Sequence, residues 1–384
     1  MAASVETATS ILRDLITFDT TSRNSNLPII DYIAEYLSAK GVSSRIVKSE
    51  DGQKANLFAT VGSDLEGGIV LSGHSDVVPV DGQDWFTDPF DMTERDGRLY
   101  GRGTADMKGF IACALTMVPV IAARDLPGPI HLAFSYDEEV GCLGVGRLID
   151  LVLSDIPRPS VVIVGEATSM QIANTHKGIC THTTTFHGRE AHSSRPQDGV
   201  NAIEAAASFV SFLYRLCDEL AETERDDRFE PPYTTFNAGR IEGGDAVNII
   251  AREATLNWEF RPIPGADPDA IAARVNAWVE TELLPSIREK DPNSFVETVR
   301  DVLVPPFDDP GSIAENIARK VTGLNSANAV AFVTEASLFS GAGLPAVICG
   351  PGDIAQAHQP DEFIEISQLA ACLEFLDRLT SPPP

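Results

Sequence analysis

No Cys-X-X-Cys pair occurs in the chain, and its six cysteines (Cys113, Cys142, Cys180, Cys217, Cys349, Cys372) are scattered, mostly among apolar neighbours. That pattern fits reduced core residues and excludes both a disulfide frame and a thiolate zinc site, so any metal must be held by carboxylate and imidazole. Basic residues are scarce as well: 29 Lys and Arg stand against 56 Asp and Glu, a formal net charge of −27. A chain so short of cations cannot neutralise phosphates, which excludes nucleic acid as a partner. The acidity serves solubility first and is compatible with a cationic substrate. Long apolar runs are missing too; none approaches the ~18–20 uninterrupted apolar residues that span a bilayer. The first 18 residues have no basic stretch leading into an apolar core, and Glu6 and Arg13 interrupt them, which predicts no secretory signal and a cytoplasmic home.

What is present is the profile of a soluble globular protein, 43% hydrophobic and 22% charged. At 384 residues the chain exceeds one ordinary hydrophobic core, so two domains are expected. Periodicity predicts an amphipathic helix over Val5–Ile16 and a second over residues 28–40, stopped by Gly41. Strand-like runs follow at 44–47, 56–61 and 68–71, then a short pair over 93–100 turning at Asp96-Gly97. An apolar helix over 108–124, a strand over 130–136, a helix over 144–153 and a strand over 161–164 complete an alternation that argues for an α/β core with a largely parallel sheet.

After about Thr175 the character changes. Ile179–His187 alternates polar and apolar residues, as a half-exposed antiparallel strand does. A long helix over 200–224, strand patterns at 234–241, 246–250 and 252–260, and a helix from Pro268 to about 289 complete a small α+β module. The α/β style then resumes with a helix near 312–321, a strand near 345–349 and a final helix, Ile366–Leu379. The organisation is thus one domain built from residues 1–176 and 291–384, with 177–290 inserted into it.

Ionisable residues cluster where apolar strands end. Residues 68–73 lead into His74-Ser75-Asp76, 130–136 into Asp137-Glu138-Glu139, 161–164 into Gly165-Glu166, and 346–352 onward to His358. The C-terminal edge of such a sheet is where ligands bind. Asp76 lies two residues from His74, on the same strand face, and could hydrogen-bond its imidazole. Each group alone has an ordinary reading: a structural histidine, a solvated Glu-Glu pair, a surface turn at Glu166, a helix N-cap at Asp106. Together, several carboxylates gathered at one edge amid glycines require cations.

The segments SGHSDVVP from Ser72, YGRGTADMKG from Tyr100, DEEVG from Asp137, Gly165-Glu166 and Ala357-His358 resemble the M20 metallopeptidase family, in order and over nearly the whole chain. The resemblance implies a zinc-peptidase-like α/β catalytic domain, with a mixed, mostly parallel sheet flanked by helices, and an inserted α+β lid or dimerisation domain. It implies two divalent ions, Zn²⁺ with Co²⁺ as a substitute: His74 and Glu166 on one, Glu139 and His358 on the other, Asp106 bridging. Glu138 would be the general base and Asp76 the partner of His74. His192, in HGREAHSS from His187, would be an oxyanion donor, contributed in the family across a homodimer interface. Asn248 and Arg261 match family segments and would bind a substrate carboxylate, or be structural. Within the family, VPVDGQDW from Val78 and the stretches around Thr334–Phe339 and Cys349–Glu362 resemble the branch that deacetylates N2-acetyl-L-ornithine for arginine biosynthesis. Glu335 would then meet the substrate's cationic amine. Desuccinylation of succinyl-diaminopimelate and a broader N-acyl-amino-acid hydrolase remain alternatives.

Overall fold

The computed structural model describes residues 3–63 and 65–381; the proline-rich end of the chain lies outside them. The described chain divides into a larger unit, residues 3–175 with Phe307–Ala329 and residues 334–381, and a smaller one, His176–Pro306 with Val330–Val333.

The larger unit is built on a nine-stranded sheet. At its centre Ile69–His74 lies between Ile130–Ser135 and Val161–Ala167, parallel to both, and Val161–Ala167 is parallel to Ala346–Gly350. The parallel character stops there. Ala55–Val61 joins Ile130–Ser135 antiparallel, Ser44–Lys48 extends that edge, and Ala173–His176 runs antiparallel to Ala346–Gly350. The four central strands are buried almost throughout, which explains their near-continuous apolar sequences.

Helices cover the sheet. Val5–Ile16 begins at Ser4, whose hydroxyl accepts the Thr7 N–H, and its Ala8, Leu12 and Leu15 are fully buried. Gly109–Ala122 is apolar all round, and with the turn before it is long enough to cross a bilayer by composition. Here it is a core helix, enclosed between the sheet, Val5–Ile16 and the final helix Ile366–Leu379. Its Phe110 ring lies against the strand Val161–Ala167 at Gly165. A Cβ there would come within 2.1 Å of the ring, so only glycine allows the approach.

The smaller unit is a four-stranded antiparallel sheet in the order Thr235–Gly243, Glu253–Arg261, Ile179–His187, Phe295–Val304. Phe186, Trp258 and Phe260 share one core with Phe209 and Leu213 of the helix Ala202–Thr223 and Ile271 and Val275 of the helix Pro268–Trp278. Two expectations change. The module continues past residue 290 to Pro306, because Phe295–Val304 pairs with Ile179–His187. That strand is charged, largely exposed and bulged between Arg300 and Val302, which breaks its alternation. Residues 246–250 form no strand; they are a loop, exposed up to the buried Ile250, that meets the 191–193 segment through a bridge between His192 and Ile249 and hydrogen bonds from Ser193 N–H to the Asn248 carbonyl and from Ile250 N–H to the Ala191 carbonyl.

Where the smaller unit interrupts the larger, the strands Ala173–His176 and Phe307–Asp308 lie side by side. There the Asp309 N–H donates to the Asn174 carbonyl at 3.0 Å, and Thr175 Oγ1 donates to Asp308 Oδ1 at 3.1 Å.

Candidate metal centre

His74 ends the strand Ile69–His74 with its ring 1% exposed. Its Nε2 is 3.0 Å from Asp106 Oδ1 and 3.7 Å from Glu166 Oε1. Its Nδ1 donates to the backbone carbonyl of Asp76 at 2.9 Å, which leaves Nε2 facing the carboxylates. The expected carboxylate–imidazole bond from Asp76 is therefore replaced by a backbone one; the carboxylate stands 3.6 Å from Nδ1. Both its oxygens are engaged elsewhere: Oδ2 accepts from Ser22 Oγ at 2.8 Å and the Glu139 N–H at 3.3 Å, Oδ1 from the Glu138 N–H at 3.1 Å. Asp76 thus fixes the loop that carries the two glutamates.

Asp106 presents its second oxygen to the other histidine: Oδ2 is 3.3 Å from His358 Nε2, which is 3.1 Å from Glu139 Oε2. One carboxylate therefore faces a histidine with each oxygen, as a bridging ligand would. Ligand atoms of His74, Asp106 and Glu139 lie within 4.8 Å of one another, as do those of His74, Glu138 and Glu166. The turn before Asp106 is held by Glu362, which sequence reasoning left without a role. Its Oε2 accepts from Gly103 N–H at 3.0 Å and Arg102 Nη1 at 2.7 Å; its Oε1 accepts from Ala105 N–H at 2.9 Å and Asp106 N–H at 3.1 Å. Cys142 is a second unforeseen neighbour, its thiol donating to Glu138 Oε1 at 3.4 Å.

The charge state of this cluster tests whether it suits cations. Burial pushes the Glu138 and Glu166 carboxyls well above their usual range. Burial and the charge of Asp106 push Glu139 up to about 7. Burial opposes a charged His74, yet Asp106 and Glu166 hold its pKa well above the ordinary value, and hydrogen bonds to Asp106 and Glu139 raise His358 to about 10. Burial works against an ionised Asp106 too, but His358 and His74 keep its pKa low. The cluster thus holds protons where neutral imidazoles and ionised carboxylates would take divalent cations. A donor set of two imidazole nitrogens and several carboxylates suits such ions.

The remaining site residues expected from sequence are divided between the two units. His192, Asn248 and Arg261 belong to the smaller unit. His192 is exposed, its Nδ1 taken by Ser194 Oγ at 2.8 Å, and Ser193 N–H donates to the Asn248 carbonyl beside it. Arg261 is not free: its Nε donates to Glu259 Oε1 at 3.0 Å. Glu335 is in the larger unit but 1% exposed, with Ser72 Oγ donating to it at 3.1 Å, so it is not presented to a substrate amine.

Residues 70–381 match peptidase family M20/M25/M40. The chain belongs to this family of metal-dependent hydrolases and is an amidohydrolase or peptidase of it. Among its curated relatives is the acetylornithine deacetylase of Myxococcus xanthus, 36% identical over 377 residues, covering 96% of this chain and 95% of that one. The acetylornithine deacetylase of Pasteurella multocida (strain Pm70) is 35% identical over 92% of this chain and 91% of its own length. Solved structures share the fold at low identity. The M20 family metallo-carboxypeptidase Sso-CP2 of Sulfolobus solfataricus has a TM-score of 0.78 at 18% identity, covering 97% of this chain and 98% of that one. A dinuclear metal binding M20 peptidase of Bacillus subtilis has a TM-score of 0.66 at 14% identity, covering 98% and 97%.

Proposed function

We propose that this chain is an acetylornithine deacetylase, a two-metal amide hydrolase that cleaves N2-acetyl-L-ornithine to acetate and L-ornithine in arginine biosynthesis. The observation that carries amide hydrolysis is Asp106 facing a histidine with each carboxylate oxygen, beside the raised carboxyl of Glu138. The choice of acyl group is supported by the likeness to deacetylases over almost the entire chain. His74 and Glu166 would hold one divalent ion, Glu139 and His358 the other, and Asp106 both, with Zn²⁺ the fitting ion and Co²⁺ a substitute. Bound ions supply Lewis acidity, polarising the amide carbonyl and lowering the pKa of water from ~15.7 to about 7.

The protein's own groups do the rest. Glu138 takes the proton of the attacking water and returns it to the leaving amine nitrogen. Asp76 holds the backbone of Glu138 and Glu139 and so aims the base. His192 donates a hydrogen bond to the oxyanion, in its own site or across a homodimer. Asn248 and Arg261 bind the substrate carboxylate, Arg261 by giving up Glu259. Buried Glu335 supports the floor beneath His74, through Ser72. The expected setting is the cytoplasm, and the expected partners are small N-acylated amino acids.

Steady-state hydrolysis of acetylornithine, succinyl-diaminopimelate and acetylmethionine, with Zn²⁺ or Co²⁺ supplied, tests the reading. Acetylornithine should be hydrolysed with the highest kcat/KM. Negligible activity on it, with either rival turned over, would reject the deacetylase assignment and leave the metal-dependent hydrolase in place.

A further inference from the structure

Behind the cage, its two halves are joined by side chains that the chemistry above does not use. Arg102 and Glu362, each 1% exposed, form an ion pair of 2.7 Å, and Glu362 also accepts the Asp106 N–H at 3.1 Å. Arg102 Nη2 donates to Gln83 Oε1 at 2.6 Å, and Gln83 Nε2 donates to the backbone carbonyl of His358 at 2.8 Å. A continuous path of hydrogen bonds therefore runs from the backbone of Asp106 to the backbone of His358, passing through neither ligand's side chain.

His358 depends on such a hold. Its side chain is 51% exposed, whereas that of His74 is 1% exposed, and it sits on a loop. Its φ of 62° is in the left-handed region that residues other than glycine rarely adopt. Gln83 is itself fixed on its acceptor side, where Trp85 Nε1 joins Arg102 on Oε1 at 3.1 Å, and the Arg102 guanidinium lies 5.1 Å from the Trp85 ring centre. Only the amide nitrogen is left to act on His358, and an amide offers an acceptor and a donor from one planar group.

We infer that Gln83 is a positioning residue for His358: its Nε2–H fixes the backbone of the exposed ligand relative to Asp106, and so sets the affinity of the ion that His358 and Glu139 hold. The inference rests on the two-ion reading of the cage. Groups that orient a metal ligand without touching the ion affect affinity by about 10–100-fold.

Gln83→Glu isolates the donor. The variant keeps an oxygen for Arg102 and Trp85 but turns oxygen against oxygen at the His358 carbonyl. Gln83→Met, neutral and of similar length, gives the same comparison if the added charge unfolds the chain. Metal-free wild type and variants are titrated with Co²⁺ by calorimetry and by visible absorption, alongside thermal melts of the metal-free forms. The expected result is two ions in wild type. In the variants one ion is retained at wild-type affinity and the other is weakened about 10–100-fold, with its own absorption change displaced to higher Co²⁺ and Tm unchanged in Gln83→Glu. Two ions bound to both variants as in wild type would overturn the inference, and so would an equal weakening of both ions. Wild type binding fewer than two ions overturns the two-ion reading itself, before any variant is compared.

Discussion

Replacing Glu362 with Gln should loosen the turn that carries Asp106 without altering any ligand. The carboxylate accepts four hydrogen bonds, two on each oxygen: Arg102 and Gly103 on one, Ala105 and Asp106 on the other. An amide has one oxygen, so two of these donors must face an NH₂ whichever way it turns. Each stranded buried donor costs about 1–3 kcal/mol. Counted instead as a buried ion pair losing one partner, since Arg102 and Glu362 are each 1% exposed, the cost is about 3–5 kcal/mol. The two routes agree on roughly 3–5 kcal/mol, a large part of the ~5–15 kcal/mol that holds a typical protein folded. Native-state hydrogen exchange reads this locally at the amides of Gly103, Ala105 and Asp106. Their protection should fall by about two to four orders of magnitude. Protection changed less than about fivefold, with an unaltered urea midpoint, would refute the claim that this carboxylate holds the turn.

Three further outcomes follow from the site and the core. Glu138→Gln should reduce kcat by about 10²–10⁴-fold while metal content measured by atomic absorption stays at wild type; retained turnover would exclude Glu138 as the base. Gly165→Ala would drive a methyl group to within 2.1 Å of the Phe110 ring, so a loss of at least about 1–3 kcal/mol is expected in urea unfolding, and a stability equal to wild type would contradict the packing described. Glu139 and His358 both have folded pKa values above their ordinary ones, about 7 against 4.5 and about 10 against 6.5. Their contribution is therefore present at low pH and lost as pH rises through those windows, so Tm of the chelator-treated protein should fall from about pH 5 to 9 while that of the metal-loaded protein does not. A flat chelated profile would count against proton–metal exchange at this cluster.

Much of the architecture could be read from the sequence, for physical reasons. Val5–Ile16 and Ile366–Leu379 appear with the boundaries expected, because each carries one apolar stripe. The groups following the central strands converge because parallel neighbours end at one edge, which brings His74, Glu139, Glu166 and His358 together around Asp106, which the turn before Gly109–Ala122 supplies. What escaped was decided by partners distant in the chain. Phe295–Val304 belongs to the smaller unit through pairing with Ile179–His187, and its charged, bulged sequence gives little sign of that. Glu362 looks like any surface carboxylate until Arg102, 260 positions earlier, is seen against it. Asp76 and His74 are correctly neighbours, but whether backbone or side chain bonds the imidazole depends on which donors compete for the carboxylate, here Ser22, Glu138 and Glu139. Glu335 is similar: its position near the cage was foreseeable, its enclosure was not.

The pairing of Asn174 with Asp309, and of Thr175 with Asp308, has a bearing on how such a molecule can be taken apart. Chain closure across the interruption requires little entropy when the two ends already touch, and its cost grows only slowly with the length of what is spliced in. The intervening residues can therefore lengthen, shrink or be exchanged for another self-cored cassette while the strands on either side keep their register. For the engineer this seam is the natural place to graft a foreign module. For the lineage it is a docking port through which one hydrolytic chassis could acquire new companions without rebuilding its interior.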